Sequence, residues 1–297
     1  MSKLIELAVQ RLEQLRSSGV TVSGQHASVS TPSGKAAVQH SSKSPSPAAP
    51  VPQVTSKRIE LSAAALKAAH VHVPGGEPCP QAEQFRLMKR PLIRNAATLK
   101  EQGQSRPNLI MVTSALAGEG KSFTAANLAM SIASEVDHKV LLVDADVARP
   151  SLPRLLGFRA DTGLLDVLEG RVSIADVLLK SDIDKLTILP SGAPRPRATE
   201  LLASETMRGL LDELATRYPD RIAIFDSPPL LLTTEACELA AHMGQIIVVV
   251  QADRTPQADV ERAIDLIGDH PVRLLMLNRV HARMMQGPGY GYGYGYT

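Results

Sequence analysis

LIMVTSALAGEGKSFTAANLA, residues 109–129, is the stretch that decides the fold. It opens on an apolar run, carries Gly118 and Gly120 in its middle, and continues from Lys121 as a helical pattern. A strand, a glycine loop and a helix in that order make a phosphate cradle. Glycines let backbone N–H groups approach phosphate oxygens, a lysine balances the β/γ charge, and a hydroxyl at the helix start meets Mg²⁺. Ala117, Gly118, Glu119, Gly120, Lys121, Ser122 and Phe123 are the candidate nucleotide-binding residues, with Ser122 a candidate metal ligand. Ala115 stands where the usual pattern begins with glycine.

Working outward, VLLVDA (140–145), LTILP (186–190), IAIFD (222–226), QIIVVVQ (245–251) and VRLLMLN (272–278) are short apolar runs separated by helical stretches. Such runs mark parallel strands buried on both faces. The expectation for 107–282 is an α/β, P-loop NTPase-like domain, a mostly parallel sheet covered by helices on both faces. Asp144 and Asp146 close one run and Asp226 another, at the strand ends where such sheets bind ligands. Three carboxylates there can hold Mg²⁺, largely through water, and one can accept a hydroxyl proton.

Bulk composition excludes several classes. With 32 basic and 30 acidic residues in 297, the chain is no polyelectrolyte, and nucleic acid is not expected as a partner. Cys79 and Cys237 have no metal-type spacing and are expected as free thiols in a reducing compartment. His70 and His72 lack further ligands nearby and receive no role. No window reaches the roughly 18 apolar residues of a membrane span, and the N-terminus has no signal-type apolar core. A cytoplasmic location is expected.

Leu4, Ile5, Ala8, Leu12 and Leu15 give residues 1–16 the spacing of an amphipathic helix, one that docks on its own domain or on a partner. Residues 17–57 are rich in Ser, Pro, Ala and Gly and read as a disordered linker. Residues 58–106 read as a partly helical pre-domain segment, in which Pro91 is expected to start a new turn or kink the helix. Residues 283–297 form a flexible Gly/Tyr tail: four of the five tyrosines, Tyr290, Tyr292, Tyr294 and Tyr296, fall where alternating glycine leaves nothing to pack against.

The loop at 115–122, LLVDADVARP (141–150) and IAIFDSPP (222–229) resemble the Walker A, second Walker A and Walker B motifs of the bacterial tyrosine kinases. The likeness runs over about residues 80 to 297, including GLLDVLEG, LPSG and the tail. The N-terminal extension and EQFRLMKRPLIRNA look most like the autokinases of exosortase-associated exopolysaccharide loci. The resemblance implies an α/β kinase that uses ATP and Mg²⁺ to phosphorylate its own tail tyrosines in trans and regulates exopolysaccharide polymerisation or export.

Under it, Lys121, Asp144, Asp146 and Asp226 are catalytic, with Asp144 as the base and Asp146 and Asp226 acting through the metal shell; Asn278 sits where related ATPases read adenine, or is simply a strand-end turn residue. Glu83, Arg86 and Lys89 match the spacing of a motif that makes subunit contacts in a ring, against the plainer reading of a solvated helix face. The implied partners are further copies of the chain, a membrane activator of the chain-length-determinant or polysaccharide co-polymerase type that recruits it to the inner membrane, and a cognate tyrosine phosphatase. Ala148 stands where many members have Arg, with Arg149 one place later. Two alternatives remain: a partitioning or positioning ATPase, whose extra loop lysine is replaced here by Leu116, and a nucleotide-binding regulator without kinase activity.

Overall fold

The computed structural model describes residues 57–77, 79–218 and 220–280. The expected N-terminal helix, nearly all of the linker, and the tyrosine tail lie outside them. Eight strands are assigned among the described residues: β1 (Lys57–Ile59), β2 (Leu109–Ser114), β3 (Lys139–Asp144), β4 (Leu179–Ser181), β5 (Leu186–Leu189), β6 (Arg221–Asp226), β7 (Gln245–Gln251) and β8 (Arg273–Asn278). The helices are α1 (Ala63–Ala68), α2 (Pro80–Glu101), α3 (Lys121–Ala133), α4 (Leu152–Leu156), α5 (Leu164–Leu168), α6 (Ile174–Val177), α7 (Ala198–Leu202), α8 (Glu205–Arg217), α9 (Thr234–Ala240) and α10 (Gln257–Ile267).

One sheet runs β1-β4-β5-β3-β6-β2-β7-β8, and every neighbouring pair is parallel except β4 and β5. Strand alternation divides its side chains between two cores. Leu109, Met111, Leu141, Val143, Ala223, Phe225, Ile246 and Val248 join residues of α5 to α10 on one face. Ile110, Val112, Val140, Leu142, Ile222, Ile224, Ile247 and Val249 join α1 to α4 on the other. Both faces are therefore covered, which explains why the central strands lack polar alternation. Among the described residues no helix is long and apolar enough to cross a membrane.

The pre-domain segment is part of this sheet, because β1 pairs with β4. Helix α2 runs as one helix from Pro80 to Glu101 with Pro91 inside it, so no new helix starts at the proline. The N–H that proline lacks would have bonded the Leu87 carbonyl one turn earlier; beyond the proline, the buried Gln245 of β7 ties the helix to the sheet, donating from Nε2 to the Leu92 carbonyl at 2.9 Å and accepting from Asn95 Nδ2 at 3.3 Å. Phe85 and Leu92 are buried on the same side, so packing holds the helix to the sheet across its proline.

Lys89 also departs from expectation. It is only 5% exposed and donates to the Ser131 carbonyl at 2.7 Å and Ser134 Oγ at 2.9 Å, with Glu135 Oε1 at 2.6 Å. A cation at the end of α3 meets unpaired carbonyls and the negative end of the helix dipole. Lys89 thus joins α2 to α3 inside one chain rather than facing a subunit neighbour, whereas Glu83, Arg86 and Arg90 are exposed. Lys89→Ala is expected to lower the unfolding free energy by about 1–3 kcal/mol, read by chemical denaturation; a variant as stable as the parent would return Lys89 to the surface role.

Candidate nucleotide site

The loop between β2 and α3 is held by its neighbours before any ligand is considered. Thr113 Oγ1 donates to the Pro228 carbonyl at 2.7 Å, and the Leu230 and Leu231 amides donate to the Ser114 and Ala115 carbonyls at 2.8 and 3.2 Å. Left-handed backbone occurs at Gly118 (φ +85°) and Gly120 (φ +100°), where a side chain is disfavoured. Ala115 is not among the positive-φ residues, so its methyl group fits the opening position without backbone strain. Lys121 and Ser122 start α3, which directs the first free N–H groups of a thirteen-residue helix at the loop.

Adjacent parallel strands deliver the carboxylates. Asp144 and Asp226 are register partners at the ends of β3 and β6, and both are fully buried. Asp144 Oδ2 accepts from the Leu152 amide at 3.2 Å, while Asp144 Oδ1 and Asp226 Oδ1 have no hydrogen-bond partner. Asp146, 7% exposed, lies 3.6 Å from Lys121 Nζ. Burial, reinforced by the charge of Asp226, pushes Asp144 well above the usual carboxylate range. Burial also raises Asp226, to about 7, against the pull of the Ser122 hydroxyl and Lys121, and raises Asp146 despite Lys121 beside it.

A residue that sequence reasoning passed over completes the group. Ser151 N-caps α4 without making a capping bond through its side chain; instead its hydroxyl donates to Ser122 Oγ at 2.6 Å and lies 3.5 Å from Asp226 Oδ2. Its signal was the Pro-Ser step five residues after Asp146, which marks a helix start. Arg149 is exposed, and its amide closes a turn on the Asp146 carbonyl at 2.9 Å.

Three expected ligand-binding residues turn their side chains elsewhere. Phe123 packs edge-on against Phe85, ring centres 5.9 Å apart, so only its backbone belongs to the loop. Glu119 is 2% exposed, and its carboxylate accepts from the Leu116 amide at 2.6 Å and from the Thr255 hydroxyl. Asn278 donates from Nδ2 to the Glu119 carbonyl at 2.8 Å and accepts from the Arg279 amide at 2.9 Å, which makes it an anchor of the loop with one amide hydrogen left over.

The donor set fits a phosphate with a divalent cation. Asp144 Oδ1 and Asp226 Oδ1 are buried without partners, the Ser151 hydroxyl lies 3.5 Å from the other oxygen of Asp226, and Lys121 stands 3.6 Å from Asp146. Among the described residues no three His, Cys, Asp or Glu side chains form a metal-holding group on their own.

A parallel sheet with this loop and these strand-end carboxylates defines a P-loop nucleotide-binding protein. A family model described as ParA, NUBPL iron-transfer P-loop NTPase, matches residues 106–189. The chain is 32% identical over 194 residues to the tyrosine-protein kinase YwqD of Bacillus subtilis (strain 168), covering 65% of this chain and 78% of that one. It belongs to the bacterial tyrosine-protein kinase family. It is 29% identical over 182 residues to the tyrosine-protein kinase wzc of Salmonella typhi, covering 61% of this chain but only 25% of that protein's length. The VpsO kinase domain superposes with a TM-score of 0.56 at 28% identity, over 68% of this chain and 97% of that domain.

Proposed function

We propose that the chain is an ATP-dependent protein-tyrosine autokinase that phosphorylates Tyr290, Tyr292, Tyr294 and Tyr296 in trans and thereby regulates exopolysaccharide polymerisation or export. The observation that carries this reading is the pairing of a P-loop lysine and serine with Asp144, Asp146 and Asp226 at adjacent strand ends. Lys121 and the loop amides offset phosphate charge. Mg²⁺ bound with ATP would be held by Ser122 directly and by the carboxylates through water, and would neutralise charge on the β- and γ-phosphates. Asp144 is assigned as the base: burial raises its proton affinity, and its Oδ1 is without a partner, as an acceptor for a phenolic proton requires. A glycine-spaced tail offers several phenols in turn to one site.

Assembly with further copies rests on the exposed Glu83 and Arg86, which pair within α2 at 3.2 Å. A membrane co-polymerase activator that brings a cytoplasmic chain to the inner membrane and a cognate phosphatase complete the proposal. The second reading is a positioning or partitioning ATPase; Leu116, in place of that group's additional loop lysine, counts against it.

Trypsin should cut after Arg283 and release residues 284–297 with all four tail tyrosines. Incubation with Mg-ATP, with and without the activator's cytoplasmic tail, is expected to add phosphate to that peptide, and Lys121→Met to prevent it. ATP consumption with an unchanged peptide mass in both conditions would favour the ATPase reading instead.

A further inference from the structure

We propose that Glu119 is a positioning residue that couples the phosphate loop to the turn after β7, residues 251–256, so that nucleotide binding and the state of that turn depend on one another. The proposal rests on the nucleotide-site reading and not on tail phosphorylation.

A carboxylate is an unusual neighbour for a loop shaped to receive anions, and this one is almost completely buried. The bonds it makes come from neutral donors: the Leu116 amide at 2.6 Å, the Gln251 amide at 3.5 Å and the Thr255 hydroxyl. Thr255 belongs to the turn itself, where its amide donates to the Gln251 carbonyl at 3.1 Å and its Oγ1 accepts from the Gln251 amide at 3.1 Å. A second link runs through Asn278. The Glu119 carbonyl accepts from Asn278 Nδ2 at 2.8 Å, and the Asn278 carbonyl accepts from the Ala252 amide at 2.9 Å. Phosphate loop, strand β8 and turn are thus tied at two points, both on Glu119.

The charge gives this link a direction. Phosphate entering the loop repels the Glu119 carboxylate and strengthens its hold on the donors on the far side, the Thr255 hydroxyl and the Gln251 amide. A turn that loses Thr255 Oγ1 leaves a buried carboxylate short of a donor, and this cost falls on the loop that must bind phosphate.

The test uses the full chain, with ADP and Mg²⁺ as the probe, and reads ADP affinity together with amide exchange over residues 251–255. In the parent chain ADP is expected to slow exchange of the turn about fivefold or more. Thr255→Val and Glu119→Gln are each expected to remove that response and to weaken ADP about tenfold, the size of one hydrogen bond to a charged group. Glu119→Gln keeps the shape but offers one acceptor oxygen in place of two, so its thermal midpoint should fall; exchange is therefore read well below that midpoint, where a folded variant whose turn no longer responds to ADP shows the coupling, and a merely structural role would leave the response intact. Lys121→Met should weaken ADP while leaving exchange of the ligand-free turn unchanged. Parent-like ADP affinity in both the Thr255 and Glu119 variants, or a turn that ignores bound ADP, overturns the proposal. Absence of ADP binding in the parent overturns the site reading with it, whereas an unphosphorylated tail with ADP still bound counts against the kinase reading alone.

Discussion

Gly120→Ala is expected to abolish tail phosphorylation, weaken nucleotide binding at least tenfold and lower stability by about 1–3 kcal/mol. Two costs coincide at this position. The backbone sits at φ +100°, which side chains other than hydrogen rarely adopt, and a Cβ there would come within 2.1 Å of Asn278 Nδ2. Asn278 can yield only by giving up its 2.8 Å bond to the Glu119 carbonyl, so the loop either flips or loses its anchor. Gly118→Ala separates the two costs: φ is +85°, but nothing lies within 4 Å of the added methyl. It should lose about 1 kcal/mol from backbone strain and retain most of its nucleotide affinity. Thermal melts and ADP titrations of both variants decide the matter. Equal losses would show that conformational strain alone matters and that contact with Asn278 does not.

The central sheet was legible because its chemistry is uniform. β2, β3, β5, β6 and β7 are apolar runs buried on one or both faces, and β8 is an apolar run half-buried on one face with Leu275 and Leu277 exposed on the other; a run of that kind has few other uses in an α/β chain. β1 and β4 were missed because three residues carry no periodicity, and their place at the sheet edge is set by pairing alone. Within the site, positions were legible and orientations were not. Motif spacing puts Glu119 and Phe123 in the loop, yet a loop's side chains follow its neighbours: Thr255 and Phe85 lie more than a hundred and some forty residues away, respectively, along the chain.

Lys89 is different, because the signal was present. Phe85, Lys89 and Leu92 follow the spacing of one helix face, and two buried apolar residues flanking a lysine at that spacing place its stem inside. Matching Glu83, Arg86 and Lys89 by spacing grouped a buried position with two exposed ones. For Ser151 the helix-start signal was visible but not the destination of its hydroxyl, which depends on β6 and α3 meeting in space.

Asp226→Asn is expected to separate stability from activity in opposite directions. Asp226 is fully buried and its pKa rises to about 7, with burial as the main cause; in the unfolded chain an aspartate titrates near 3.9. Between those values folded Asp226 binds more proton than unfolded Asp226, so its contribution to stability falls as pH rises from about 4 towards 7 and is level above that. Three units correspond to about 4 kcal/mol at most, and an amide that does not satisfy every neighbour returns part of it. In metal-free buffer the asparagine variant should therefore be about 2–4 kcal/mol more stable than the parent at pH 8, with the difference disappearing near pH 4. Removing the charge also relieves Asp144, whose raised proton affinity is owed in part to Asp226. Tail phosphorylation should meanwhile be lost. Chemical denaturation at several pH values in EDTA, beside the peptide-mass assay, reads both effects. A variant less stable at pH 8 would mean that the Asp226 charge is satisfied in the ligand-free fold and acts there as a structural partner of Ser122 and Lys121. The expected gain would instead mark it as a charge kept at a cost to the fold for the ligand it meets.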